Sequence, residues 1–105
     1  MKIQINTDKT VNGDQRHQDY FTSLITEGLK KYSDHITRIE VHLSDENGNK
    51  EGFNDIRCFM EARLEKNQPI IAITDQSNTV ELAVSRAINK LKASLEKMHE
   101  RSKTH

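Results

Sequence analysis

Apolar residues in this chain recur at every second position in three short runs and at every third or fourth position in two long ones, and each period admits one kind of element. Ile3 and Ile5 alternate with Lys2, Gln4 and Asn6, the spacing of a half-buried strand. Asn12, Gly13 and Asp14 interrupt that pattern and offer an N-cap. Tyr20, Phe21, Leu24, Ile25, Leu29 and Tyr32 follow at helical spacing, which predicts an amphipathic helix over Gln15–Tyr32, with Gly28 marking its close approach to a sheet. Alternation returns at Thr37–Ser44, where Ile39, Val41 and Leu43 oppose Arg38, Glu40 and His42. It returns again at Ile56–Leu64, where Ile56, Cys58, Met60 and Ala62 oppose Arg57, Phe59, Glu61 and Arg63, and Ile70–Thr74 behind Pro69 is rich in β-branched residues and reads as a further strand. Between the second and third runs, Asp45–Asp55 holds two of the four glycines and is too polar to bury, so it reads as an acidic hairpin loop. Glu65–Gln68 makes a shorter turn. Ser77 or Asn78 then caps a second helix running to about Arg101.

The order strand, helix, strand, strand, strand, helix limits the topology. The first connection is long enough for a right-handed crossover, which makes the first two strands parallel neighbours, and the short later connections make an antiparallel meander. The expected fold is a two-layer α/β domain of β-α-β-β-β-α order, resembling the double-stranded-RNA-binding domain. Its four-stranded mixed sheet carries both helices on one face and leaves the other open to solvent.

With 105 residues and 33% apolar content, the chain can fill one modest core, so residues 1–105 are expected to form a single domain with 102–105 as a disordered tail. No uncharged apolar run approaches 18 residues, and Lys2, Asp8 and Lys9 interrupt the amino terminus where a signal sequence needs its hydrophobic stretch. The expectation is a cytoplasmic protein with no membrane partner. The single cysteine, Cys58, is followed by Phe59 and Met60 and reads as a small buried hydrophobe.

Charge is balanced overall, with 16 basic and 16 acidic side chains, but it is not evenly spread. From Arg86 onward six cations face only Glu96 and Glu100, so this end carries plus four and residues 1–85 carry minus four. Arg86, Lys90, Lys97 and Arg101 are spaced by four, seven and four, which puts them in one narrow stripe of a helix. Val80, Val84, Ala87, Ile88, Leu91, Leu95 and Met98 occupy a different face, so the cations are expected to point away from the core. Such a stripe is either an ordinary solvated surface or a row of phosphate contacts.

Two segments carry a family resemblance. Ala87, Ile88, Asn89, Lys90 and Leu91, followed by Leu95, Glu96, Lys97 and Met98, closely resemble the last helix of the ribosome hibernation promoting factor and ribosome-associated inhibitor A family. Asp34 through Ser44 resemble the second strand of that family, and the likeness spans about Lys2 to Lys97 in the same element order. It implies a short-form, single-domain bacterial translation inhibitor of stressed or stationary cells. Such a protein binds the small ribosomal subunit through ribosomal RNA and blocks the channel used by messenger and transfer RNA. It implies no enzymatic activity, no cofactor and no small-molecule substrate, and a monomer or weak homodimer. Lys90 and Lys97 match family lysines that contact RNA backbone, and either Lys30 or Lys31 matches a lysine near the end of the first helix. Arg86 and Arg101 join them on stripe geometry alone. Ala93 stands where the family often has arginine, and the chain stops without the dimerisation domain of the long members, which is expected to close that route to pairing ribosomes.

Two other uses of the fold compete with the stripe. Outward Phe59 between Arg57 and Arg63 could stack single-stranded RNA on the open sheet face, and a sheet edge or the acidic loop could hold a protein partner. Catalysis has less to build on. His17, His35, His42, His99 and His105 show no ligand spacing on a shared element, and the chain has neither a glycine-rich phosphate loop nor a nucleophile elbow, so no catalytic or metal site is expected.

Overall fold

In the computed structural model, which describes residues 1–8, 14–45 and 56–103 with side chains to residue 99, the expected strands become β1 (Lys2–Thr7), β2 (Ile36–Asp45), β3 (Ile56–Leu64) and β4 (Ile71–Ser77). They form one sheet of order β1-β2-β3-β4, with β1 parallel to β2 and the other pairs antiparallel. The register puts Ile3 beside Ile39 and Ile5 beside Val41, and lines Val41, Met60 and Ile73 across the sheet on its covered face. Helix α1 (Gln15–Gly28) and helix α2 (Val80–Lys103) supply Phe21, Ile25, Ala83, Val84, Ala87, Leu91 and Leu95 to the same core. The expected two-layer fold is therefore the one formed. Of the expected acidic loop Asp45–Asp55, Asp45 instead ends β2 and segment 46–55 lies outside the described residues, as do the cap candidates Asn12 and Gly13.

Local differences from the expectation have physical causes. Asp14 caps α1 by accepting the His17 amide at 3.0 Å, but the α-helix stops at Gly28 rather than Tyr32. A 3-10 helix over Lys30–His35 follows and still buries Tyr32, because its tighter turn keeps the ring on the core side that a longer α-helix would have served. The close approach at Gly28 is to the other helix and not to the sheet: a Cβ there would lie 2.6 Å from Ile88 Cγ2. Strand β4 continues three residues past Thr74, with Asp75 and Ser77 inward and buried. That extension takes Ser77 out of reach as a cap, and Thr79 does the work, its Oγ1 accepting the Leu82 amide at 3.1 Å. Helix α2 runs through Lys103, two residues into the expected tail, and residues 104–105 lie outside the described residues. The turn after β3 closes through the Gln68 amide on the Glu65 carbonyl, with Lys66 and Asn67 at φ of 58° and 56°. Two left-handed residues match the twist of the strands they join.

Cys58 is fully buried beside Asp75, its cross-strand partner, and burial followed by that neighbouring charge pushes its thiol up to about 12. The thiolate is the reactive form, so a disulfide-exchange reagent at pH 8 should attack folded protein at least about a thousandfold more slowly than unfolded protein. Matching rates with and without denaturant would show that the thiol is open to solvent.

Candidate nucleic-acid interface

The cationic stripe exists on α2, but it flanks the core face instead of opposing it. At 100° per residue, Arg86, Lys90 and Lys97 fall within about 40° of one another and lie about 120° from the centre of the buried row. Side chains at that angle stand over the margin of the sheet, and two of the three reach down to its edge strand. Arg86 Nε lies 3.3 Å from both carboxylate oxygens of Asp75, and Lys90 Nζ lies 3.2 Å from Oδ2. Lys90 also donates to the Thr74 carbonyl at 3.4 Å. The expectation that the stripe points wholly away from the packed side is therefore corrected at these two positions. Lys97 is exposed on the same flank, about 10 Å further along the axis, and has no ion-pair partner among the described residues. The side chain of Arg101 lies outside the described residues.

Asp75 is the site residue that sequence reasoning missed. An inward aspartate looks like the end of a strand, because a carboxylate facing a core costs several kcal/mol unless it is compensated. Here it is compensated. Burial alone would push the carboxyl up, but Lys90, the Gln76 amide at 2.7 Å and Arg86 together hold it below the usual carboxylate range. Its side chain is 5% exposed, whereas those of Arg86 and Lys90 are 59% and 52% exposed, so both cations keep donors in solvent. The signal available in the sequence was the pairing of an inward β4 acid with two basic residues eleven and fifteen positions on.

Lys30 and Lys31 are exposed on the 3-10 helix, a separate element from the stripe. Lys31 Nζ sits 5.7 Å from the centre of the Tyr32 ring, and the same short helix reaches the far half of α2, where the His35 and His99 rings lie 6.5 Å apart at a tilt. Lys30 and Lys31 thus belong to the end of the molecule that carries residues 95–99 of α2, away from Asp75.

The open sheet face has a different charge balance. Arg38 pairs with Glu40 at 2.9 Å and also donates to Gln4, and Arg63 pairs with Glu61 at 3.4 Å. Each of these arginines has its own carboxylate, whereas Arg86 and Lys90 share one. The helix flank therefore keeps a net positive charge that the paired arginines lack. Phe59 is only partly exposed, with His42 opposite it on β2 at 5.9 Å between rings.

Among the described residues, no group of three or more His, Cys, Asp or Glu side chains comes together to hold a metal ion. His35 pairs with Glu65 at 2.9 Å and His17 with Asp14 at 2.8 Å, while His105 lies outside the described residues. Fold and site together define a two-layer α/β domain with a cationic flank on its terminal helix. The chain belongs to the family described as Sigma 54 modulation protein / S30EA ribosomal protein, which matches residues 3–103. Its fold is similar to the Thermus thermophilus Protein Y N-terminal domain, with a TM-score of 0.71, 16% identity and coverage of 93% of this chain and 99% of that one. It is also similar to a ribosomal subunit interface protein from Coxiella burnetii, with a TM-score of 0.65, 17% identity and coverage of 95% and 99%. No curated protein matches the chain.

Proposed function

We propose that this protein is a hibernation factor that binds the small ribosomal subunit in the cytoplasm, grips ribosomal RNA through the α2 flank and fills the channel of messenger and transfer RNA. The observation that carries the reading is the alignment of Arg86, Lys90 and Lys97 along one flank of a helix docked in the core, within a chain of the S30EA family. Cations held on a docked helix lose less freedom on binding than cations on a loose tail, so more of their attraction survives as affinity. Inhibition in this mechanism is occupancy: the domain takes up space, and the flank sets where. Lys30 and Lys31 would add contacts from the 3-10 helix. The similarity to a ribosomal subunit interface protein supports the same partner. No described helix is long and apolar enough to cross a membrane.

Sedimentation with small subunits across a salt series tests this. Three cations, less the one charge that Asp75 offsets, neutralise about two phosphates, and at about 0.7–0.9 each they give a slope of log affinity against log salt near −1.4 to −1.8. A flat profile sinks the electrostatic grip. Phe59→Ala is expected to leave the profile unchanged, and a large loss from that variant would move the contact to the open sheet face.

A further inference from the structure

Asp75 has no part in a generic basic patch, since a carboxylate among phosphate-seeking cations lowers their potential. Its placement is nevertheless built: it is buried on the inward side of an edge strand, and its oxygens take the Gln76 amide, Arg86 and Lys90. Arg86 uses only Nε on it, which leaves the two terminal guanidinium nitrogens for a partner, and Lys90 meets Asp75 and the Thr74 carbonyl while half exposed. Thr74, Asp75, Gln76, Arg86 and Lys90 together line one open concavity between β4 and α2.

We propose that Asp75 is a positioning residue that fixes Arg86 and Lys90 as a two-pronged fork for a single backbone phosphate of RNA, and that its negative charge limits binding to polyanions of the wrong shape. This deepens the ribosome reading and rests on it for the source of the phosphate. Two long side chains tied to one buried carboxylate have little rotamer freedom left to lose when the phosphate arrives. The same carboxylate cancels one of the two charges, so grip depends on a phosphate reaching both prongs at once. A flexible polyanion gains little from geometry and is penalised by the carboxylate, whereas folded RNA with a fixed phosphate gains from the geometry.

The test compares Asp75→Asn with the unaltered protein in binding small subunits and polyuridylate from about 50 to about 200 mM salt. Asparagine keeps the shape and removes the charge. The salt slope is expected to steepen by about 0.9, so the ratio of variant to unaltered affinity should fall about threefold to fourfold over that range, while polyuridylate binding at low salt rises. An unchanged slope with only a lower melting temperature overturns the proposal, because a purely structural aspartate would do that. Where the variant does not fold, Arg86→Gln, Lys90→Gln and their combination take its place. A fork acting as one unit loses about as much from either single change as from both, and additive losses overturn it. The two readings fail separately. Fork-dependent binding to a folded RNA hairpin without small-subunit binding sinks the ribosome reading alone, and small-subunit binding indifferent to all these changes sinks the fork alone.

Discussion

Replacing Lys97 with glutamate is expected to weaken small-subunit binding about tenfold to a hundredfold, with a melting temperature within a degree or two of the unaltered protein. Hydrogen bonds to charged groups contribute about 1.5–3 kcal/mol, and reversal adds repulsion to their loss. Lys97 is exposed and has no ion-pair partner among the described residues, so removing its charge leaves no described group uncompensated. Lys90→Glu should behave differently. It sets a second carboxylate against Asp75, where Lys90 Nζ now lies 3.2 Å away, so binding and stability fall together. Combined reversal of Lys90 and Lys97 should abolish co-sedimentation at moderate salt, and Lys90→Gln separates binding from folding at that position. Sedimentation beside thermal melts reads both quantities. Full binding by the Lys97→Glu variant would remove the outer part of the flank from the mechanism.

This contrast between two lysines was hidden in the sequence, where both look like equal members of one stripe. Periodicity reports the angle of a residue around its helix, and it placed Arg86, Lys90 and Lys97 correctly on one flank. It cannot say what stands opposite that flank, because Asp75 reaches Arg86 and Lys90 only after β4 and α2 fold back on each other. The strand patterns were legible for the complementary reason: Ile39, Val41, Leu43, Cys58, Met60 and Ala62 alternate so strictly that one face of β2 and β3 had to be buried. Alternation failed at the candidate site. A polar residue on the covered side of β4 ended the apparent strand at Thr74, and the polar residue was the one compensated by the candidate site. The 3-10 helix was hidden too, since Leu29 and Tyr32 are three apart and fit either helical period.

Gly28→Ala is expected to lower stability by about 1–2 kcal/mol, or roughly 5–10 °C in melting temperature for a domain of this size, although alanine is the better helix former. The added methyl would lie 2.6 Å from Ile88 Cγ2, nearly an ångström inside ordinary contact. Cγ2 is attached directly to Cβ of a β-branched residue and cannot swing aside without leaving its preferred rotamer or shifting a helix. The overpacking cost of about 1–3 kcal/mol therefore exceeds most of the helix-propensity gain of up to about 1 kcal/mol. Ile88→Ala alone should cost about 2–4 kcal/mol, because it opens a cavity at a position only 6% exposed. In that background Gly28→Ala fills space instead of competing for it and should become neutral or stabilising, giving a coupling energy near 2 kcal/mol in a double-mutant cycle. Coupling near zero would mean that the two helices have slack at their crossing. The crossing also bears on the flank, because Ile88 lies midway between Arg86 and Lys90. A shift of α2 that relieves the Gly28→Ala clash moves both cations relative to Asp75, so this variant should also lose affinity for the small subunit, and Ile88→Ala should restore part of it.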